Sequence, residues 1–531
     1  MQSTSKIIGY CLIIIAGMAT ADLIVRWGTS GLTIDLLIII VSAIAGVYLL
    51  RLKTEHSQLK TKSLAEKTWL KLPTDLLEKY NGKATSGNIS KNTQIIQKTL
   101  RDFSINVSMG DVNIGPTVTQ YTLKPAEGVN PDQITSKANE LSLELASHPI
   151  RIEAPIPGKN LVGIEIPNKV SAIVGLREIL ESEEFKASKS NLTLALGRDV
   201  TGIPVVADLK ETLNILMSGA TGSGKTVLIN AMILSLIYQN TPNDLRLILI
   251  DPKRVEFIHY NNISHLLCPV IYDIDKSVSA LRWAVAEMNR RLHVLEDAHY
   301  HNIDNYNQSQ PEVKIPHIVI FVDEFSDLMA QVANEVEEAV VRLVQMSKAV
   351  GIHLVLATSR PSVDVVTDLI KKNMANRIGL AQASEINSRT IIDTRGAEKL
   401  FGKGDILFGS KTDGYKRIQV ALVTDKDVDK VTDFLKNETP PDTSNQMIDL
   451  STKDRSYLED YLYEDAKKVV LNAGLASAQL LQRRLRIGYG RASRLLDILE
   501  ANHIIGPEDG HKPRKVLIKT IPEEADTEKK K

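Results

Sequence analysis

The apolar and polar positions of this chain change rhythm several times, and each rhythm predicts a different kind of structure. Residues 7–25 (IIGYCLIIIAGMATADLIV) and 31–50 (GLTIDLLIIIVSAIAGVYLL) are nearly unbroken apolar runs. Each is close to the roughly 20 residues that a helix needs to cross about 30 Å of hydrocarbon. A polar linker follows over about 51–78. Residues 79–196 then mix strand-like runs, TVTQYTL and LVGIEI, with the helical pattern PDQITSKANELSLELA, which predicts a small α/β domain. From about 197 to 437 the apolar strands LNILMS, LRLILID, HIVIFVD and IHLVLATS alternate with amphipathic helices, as in a doubly wound, mainly parallel sheet. The polar, proline-bearing stretch NETPPDTSNQ marks a second linker over 438–455. A compact helical segment fills 456–520, and a charged tail occupies 521–531.

The two apolar runs are joined by RWGTSG, with Lys6 before the pair and Arg51, Lys53, Lys60 and Lys62 after it. Basic flanks stay on the cytoplasmic side, so the pattern predicts a transmembrane hairpin with both termini in the cytoplasm. The rival reading is a signal peptide cleaved near Ala19-Thr20-Ala21, and even then the second run would keep the bulk of the chain cytoplasmic.

Composition sharpens this picture in two places. Net formal charge is zero, 64 acidic against 64 basic side chains, so a nucleic-acid partner must be met by a local basic patch. Cys11 and Cys268 lie far apart and form no CxxC pair, which points to neither a disulfide framework nor a zinc site. His293, His299 and His301 cluster without HxxxH or HExxH spacing, and read as surface residues at the polar end of a helix.

The clearest chemical signal is SGATGSGKT. Gly219, Ala220, Thr221, Gly222, Ser223, Gly224, Lys225 and Thr226 fit G-x-x-x-x-G-K-[ST] between an apolar strand and a helix. Backbone N–H groups of such a loop converge on phosphate oxygens, and the helix N-terminus adds partial positive charge. Lys225 would reach the β- and γ-phosphates of ATP, and Thr226 would ligate Mg²⁺. In HIVIFVDEF, Asp323 ends an apolar strand and would hold the same metal, and Glu324 is placed to activate an attacking water. A further strand, LRLILID, falls between the two motifs, which is how RecA-like NTPases are arranged.

The C-terminal stretch ASAQLLQRRLRIGYGRASRLLDILEANHIIGP has a helix, a tight turn, a second helix and a short apolar hairpin. This is the winged helix-turn-helix pattern, with a protein-docking helical domain as the rival. Arg483, Arg484, Arg486, Arg491 and Arg494 lie within twelve residues and supply the local basic patch. Arg483 and Arg484 are candidate phosphate contacts. Gly490, Arg494 and Asp497 share one helical face, on which Arg494 and Asp497 are candidate base readers.

With these pieces in order the chain closely resembles the FtsK/SpoIIIE family of membrane-anchored DNA translocases, over roughly residues 90 to 519. The resemblance is carried by GPTVTQYTLKPAEGV, IRIEAPIPGKNLVGIEIPN, GATGSGKTVLINAMI, LILIDPKRVEF, ALRWAVAEMNRRL, VDEFSDLM, AVGIHLVLATSRPSVDVVTDLIKKNMANRI, GAEKLFGKGDIL and LQRRLRIGYGRASRLLDILE. It implies a smaller α/β lobe, a RecA-like motor lobe and a winged-helix γ domain. It also implies a homohexamer that walks along double-stranded DNA, with ATP between subunits. In such a ring a neighbour's arginine completes the site, and Arg377 is the first candidate for that finger, with Arg389 second. The setting implied is the inner (cytoplasmic) membrane at the division septum, with division-site proteins or a site-specific recombinase as further partners. A conjugation or secretion motor with the same core is the alternative, as is a passive anchor of DNA to membrane.

The chain departs from the family pattern at specific places. Ser359 stands where ATQRPS usually has glutamine, a polar sensor after the fourth strand of the core, so γ-phosphate sensing is expected to run through another group. Two apolar spans replace the larger number common in the family, and the long linker of the larger members is nearly absent. In the recognition helix, RIGYNRAAR becomes RIGYGRASR, so Gly490 brings no side chain and weaker or altered sequence specificity is expected.

Overall fold

The computed structural model describes residues 72–438, 463–485, 487–502, 504–507 and 513–517. The expected transmembrane hairpin, most of the first linker, the second linker beyond Glu438, the tail and Arg486 lie outside the described residues. Among the described residues no helix is long and apolar enough to cross a membrane.

Helix α1 (Ile89–Asp102) begins at Asn88, whose side chain accepts from the Lys91 amide and satisfies one of the free donors of the first turn. Strands β1 (Val107–Ile114), β2 (Val118–Pro125), β3 (Arg151–Glu153) and β4 (Val162–Pro167) form an antiparallel sheet in the order β1-β2-β4-β3. Ile96 and Leu100 of α1 pack with Tyr121, Leu123 and Ile164 in a core belonging to this lobe. This lobe is thus a small α/β unit.

The second lobe is built on β5 (Thr193–Asp199), β6 (Pro204–Asp208), β7 (Ile215–Ser218), helix α2 (Lys225–Gln239), β8 (Leu245–Ile250) and α3 (Ile274–Asp297). It continues through β9 (His317–Val322), α4 (Phe325–Val350), β10 (Ile352–Thr358), β11 (Asn376–Leu380), α5 (Glu385–Ile392), β12 (Asp405–Ser410) and β13 (Gly414–Val420). Its nine strands run in the order β6-β5-β13-β12-β11-β7-β10-β9-β8. The half from β11 to β8 is parallel throughout. The half from β6 to β12 is an antiparallel extension that joins at β11.

Successive strand residues face opposite sides of a sheet. Ile248, Ile250, Ile318, Ile320, Val322, Leu354 and Leu356 all enter one core with residues of α3 and α4. Their neighbours Leu247, Leu249, Val319, Phe321 and Val355 are equally buried, so both faces of the parallel half are covered. Cys268 belongs to this core, and burial pushes its thiol up to about 12. One boundary moves. A lobe change at 196–197 would cut β5, which pairs with β13 and belongs to the large sheet, so the first lobe ends upstream of Thr193.

The C-terminal domain consists of α6 (Tyr463–Ala473), β14 (Leu475–Ala476), α7 (Ala478–Leu485), α8 (Tyr489–Ala501) and β15 (Arg514–Lys515). Strands β14 and β15 pair antiparallel, and Ile505 bridges to Val516. Ala466, Val470, Leu481, Leu495, Leu499 and Ile505 make its core. Helix α7, a short turn and α8, closed by a small sheet, have the winged helix-turn-helix order.

Candidate functional site

The loop between β7 and α2 hangs between two neighbours. The Gly219 amide donates to the Thr358 carbonyl at 3.2 Å and the Ala220 amide to the Ala381 carbonyl at 2.9 Å. From the other side, the Lys403 amide donates to Gly222 O at 3.2 Å and the Gly404 amide to Ser223 O at 2.8 Å. Gly224 has φ 100° and lies so close to this second neighbour that a Cβ would stand 2.3 Å from Gly404 N. Only glycine fits there. The stretch FGKGD, residues 401–405, is therefore a buttress of the loop, a role its pattern alone does not reveal.

Around the loop lies a cavity of about 790 Å³. Residues 219–222 and 224–226 line it together with Lys253, Glu256, Asp323, Glu324 and Ser359, and Thr117, Pro167, Asn168 and residues 171–174 also border it. Its walls suit a nucleoside triphosphate. Ser223 Oγ is buried without a hydrogen-bond partner, and the first-turn amides of α2 have no acceptors inside the helix.

Three acidic groups meet at the phosphate end. Lys225 Nζ lies 2.6 Å from Asp323 Oδ1. Burial raises the Asp323 carboxyl above its ordinary value, against the pull of Lys225. Thr226 Oγ1 donates to Glu256 Oε1 at 2.9 Å, and burial likewise raises Glu256. Thr226 and Asp323, the expected metal pair, thus line one cavity, and their hard oxygens fit Mg²⁺. Glu256 is an acid that sequence reasoning passed over.

Glu324 is the most constrained residue of the site. It is almost wholly buried and has φ 48°, a left-handed backbone that costs a non-glycine residue about 1–3 kcal/mol. Its Oε1 accepts from Ser326 Oγ at 2.7 Å, the Ser359 amide at 2.9 Å and Thr358 Oγ1 at 3.3 Å. Its Oε2 accepts from Lys253 Nζ and from Ser359 Oγ, both at 2.6 Å. Burial alone would raise this carboxyl, but the bonds from Lys253 and Ser359 more than reverse it and hold it well below the usual carboxylate range. Ser359 therefore has its side chain on Glu324. Lys253 sits just past the end of β8 in IDPKRVEF, where an apolar strand followed by charge is the only trace of its role.

Arg377, the first finger candidate, is engaged within its own chain. It is buried, and it donates to the carbonyls of Met374, Ile391 and Lys371 and to Asp393, all in its own chain. It also pairs in register with Leu216, two residues before the end of β7, and so lies below the phosphate loop. These bonds give it a structural task within its own chain. Arg389 on α5 is 53% exposed and bonded to Glu385 one turn away at 2.9 Å.

In the C-terminal domain, Arg483 and Arg484 lie exposed in the last turn of α7. Gly490, Arg494 and Asp497 are all exposed on α8, along one face. Asp497 is also engaged within the domain, where its Oδ1 accepts from Arg514 of the β15 strand at 3.2 Å. Arg514 also holds Glu500, at 2.7 Å. Arg491 lies on the same helix.

Comparison with known proteins follows the same divisions. The FtsK/SpoIIIE family model matches residues 175–363, the FtsK alpha domain model 72–168 and the Ftsk gamma domain model 458–519. The DNA translocase FtsK of Caldanaerobacter subterraneus subsp. tengcongensis is 46% identical over 429 residues, covering 80% of this chain and 60% of its own. The DNA translocase SftA of Bacillus subtilis is 44% identical over 436 residues, covering 81% of this chain and 46% of its own. This chain thus spans less than two thirds of the length of either relative. Among solved structures, the pCW3 conjugation coupling protein TcpA aligns at a TM-score of 0.46 with 21% identity, over 65% of this chain and 99% of that one.

Proposed function

The chain belongs to the FtsK/SpoIIIE family, and on that premise we propose that it is an ATP-driven motor that moves along double-stranded DNA. The observation that carries the reading is the presence in one chain of a phosphate loop facing Asp323 and Glu324 and of a winged helix-turn-helix with exposed arginines. In this reading Lys225 and the loop amides hold the triphosphate, while Thr226 and Asp323 hold Mg²⁺, which when bound would neutralise charge on the phosphates. Glu324 orients a water whose oxygen bonds to the γ-phosphorus as the bond to the bridging oxygen breaks. ADP departs with that electron pair, and the water's proton passes to Glu324 and on to the phosphate.

We further infer a hexamer anchored in the inner membrane by residues 7–50, working at the septum during chromosome segregation. Arg389, exposed on α5, is the finger candidate that this reading favours over Arg377. Mixing Arg389→Ala with Glu324→Gln subunits should restore part of the hydrolysis at hybrid interfaces, and mixed hexamers as inactive as either parent would exclude it. The function itself is tested by ATP hydrolysis of the full chain with and without duplex DNA. Strong, sustained stimulation is expected. Hydrolysis indifferent to naked duplex would favour a passive anchor or a protein-secretion motor.

A further inference from the structure

Glu324 carries more donors than a general base can use. Oε1 holds three and Oε2 holds two, with Lys225 Nζ a further 3.8 Å away from Oε2. A carboxylate oxygen whose lone pairs are occupied cannot accept a proton from water. For Glu324 to act, one donor must leave. Four of the five bonds come from groups fixed on β10, on the residue that follows it, or on the first turn of α4. The fifth comes from Lys253, whose side chain is 47% exposed, on the loop after β8. That loop also contains Arg254 at φ 60°. Lys253 faces the same cavity as Lys225 and the phosphate loop, so an anion seated there lies within its surroundings.

We propose that Lys253 is a positioning residue that senses the terminal phosphate. Without a triphosphate its ammonium masks Glu324, and with one bound it exchanges the carboxylate for a γ-phosphate oxygen. The exchange frees Oε2 to take the proton of the attacking water. Ser359 stays on Glu324 throughout and fixes its orientation, which explains why a short hydroxyl suffices at that position. The charged groups facing Glu324 are Lys225 from α2, Lys253 from the loop after β8, and Asp323 at the end of β9; Asp327 on α4 also acts on Lys253. Of these, Lys253 makes the shortest ion pair with Glu324.

The inference rests on reading Glu324 as the water activator, and the test separates the two. ADP and a non-hydrolysable ATP analogue are titrated onto the full chain, and ATP turnover is recorded, for wild type, Lys253→Met, Lys253→Arg and Glu324→Gln. Lys253→Met should keep its ADP affinity, which also reports an intact fold. It should bind the triphosphate analogue about tenfold or more weakly, as expected for a lost charge-assisted bond. Lys253→Arg should largely restore the analogue affinity. A Lys253→Met chain that keeps the triphosphate preference, or loses ADP and analogue alike, would overturn the sensor role. Full turnover in Glu324→Gln would instead remove the water-activator reading on which the proposal stands.

Discussion

Around Glu324 all the donors come from the same fold that builds the loop, and both carboxylate oxygens are engaged before any ligand arrives. On α8 of the C-terminal domain, Arg494 projects from an exposed face with Gly490 one turn earlier. The first region is preorganised and buried, so one missing group changes the chemistry of the whole cluster. In the proposed reading the second offers independent side chains to a partner that supplies the order, and each contributes separately. The difference is one of coupling. A hydrolytic site must hold charge in fixed geometry, whereas a groove reader needs reach and a face that matches base edges.

The largest effect should come from the buried side. Glu324→Gln should keep nucleotide bound and lower hydrolysis by about 10²–10⁴-fold, the usual cost of a lost general base. Unchanged DNA-stimulated turnover, measured by phosphate release, would show that the cluster is not catalytic.

A second buried network sharpens the same contrast in stability rather than rate. Arg417 of β13 bonds Asp405 of β12 in bidentate fashion and reaches Glu165 of β4 at 2.6 Å, while Arg151 of β3 holds Glu165 at 3.2 Å. Arg417, Glu165 and Asp405 are almost fully buried, so they tie the first lobe to the large sheet. Removing one partner leaves the others uncompensated. Glu165→Ala should therefore cost about 3–5 kcal/mol in denaturant unfolding. The exposed change Arg483→Ala should stay within about 0.5 kcal/mol. Equal losses would contradict the contrast between coupled and independent charge.

How much of this was legible in the sequence depends on range. The phosphate loop and Asp323-Glu324 are local patterns, where spacing along a strand–loop–helix carries the chemistry, and the structure brings them together in one cavity. The winged-helix order was legible for the same reason. Lys253, Glu256 and the 401–405 buttress were not, because each is joined to Glu324 or to the loop by long-range pairing that no local period encodes. The intrachain bonds of Arg377 were not legible either, because an arginine at a strand start looks the same in sequence whether it is buried on backbone carbonyls or free to reach outward. The antiparallel extension was missed too, since β5, β6, β12 and β13 are separated by the whole parallel half of the sheet.

Smaller effects belong to the exposed helix. Arg494→Ala should cost about 1–3 kcal/mol on a preferred DNA site and much less on random duplex. Arg483→Ala and Arg484→Ala should weaken binding to all sequences alike and flatten the salt dependence by about one unit of slope each. An unchanged motif selected by Arg494→Ala would show that it reads no bases.

The central claim, that hydrolysis at the Glu324 cluster drives movement along duplex DNA, is tested most directly by displacement of a triplex-forming strand from a linear duplex. The full chain with ATP should displace the strand well beyond its loading site, and the Glu324→Gln chain should bind the same duplex without displacing it. Displacement by Glu324→Gln, or none by a wild-type chain that hydrolyses ATP on that DNA, would contradict the account.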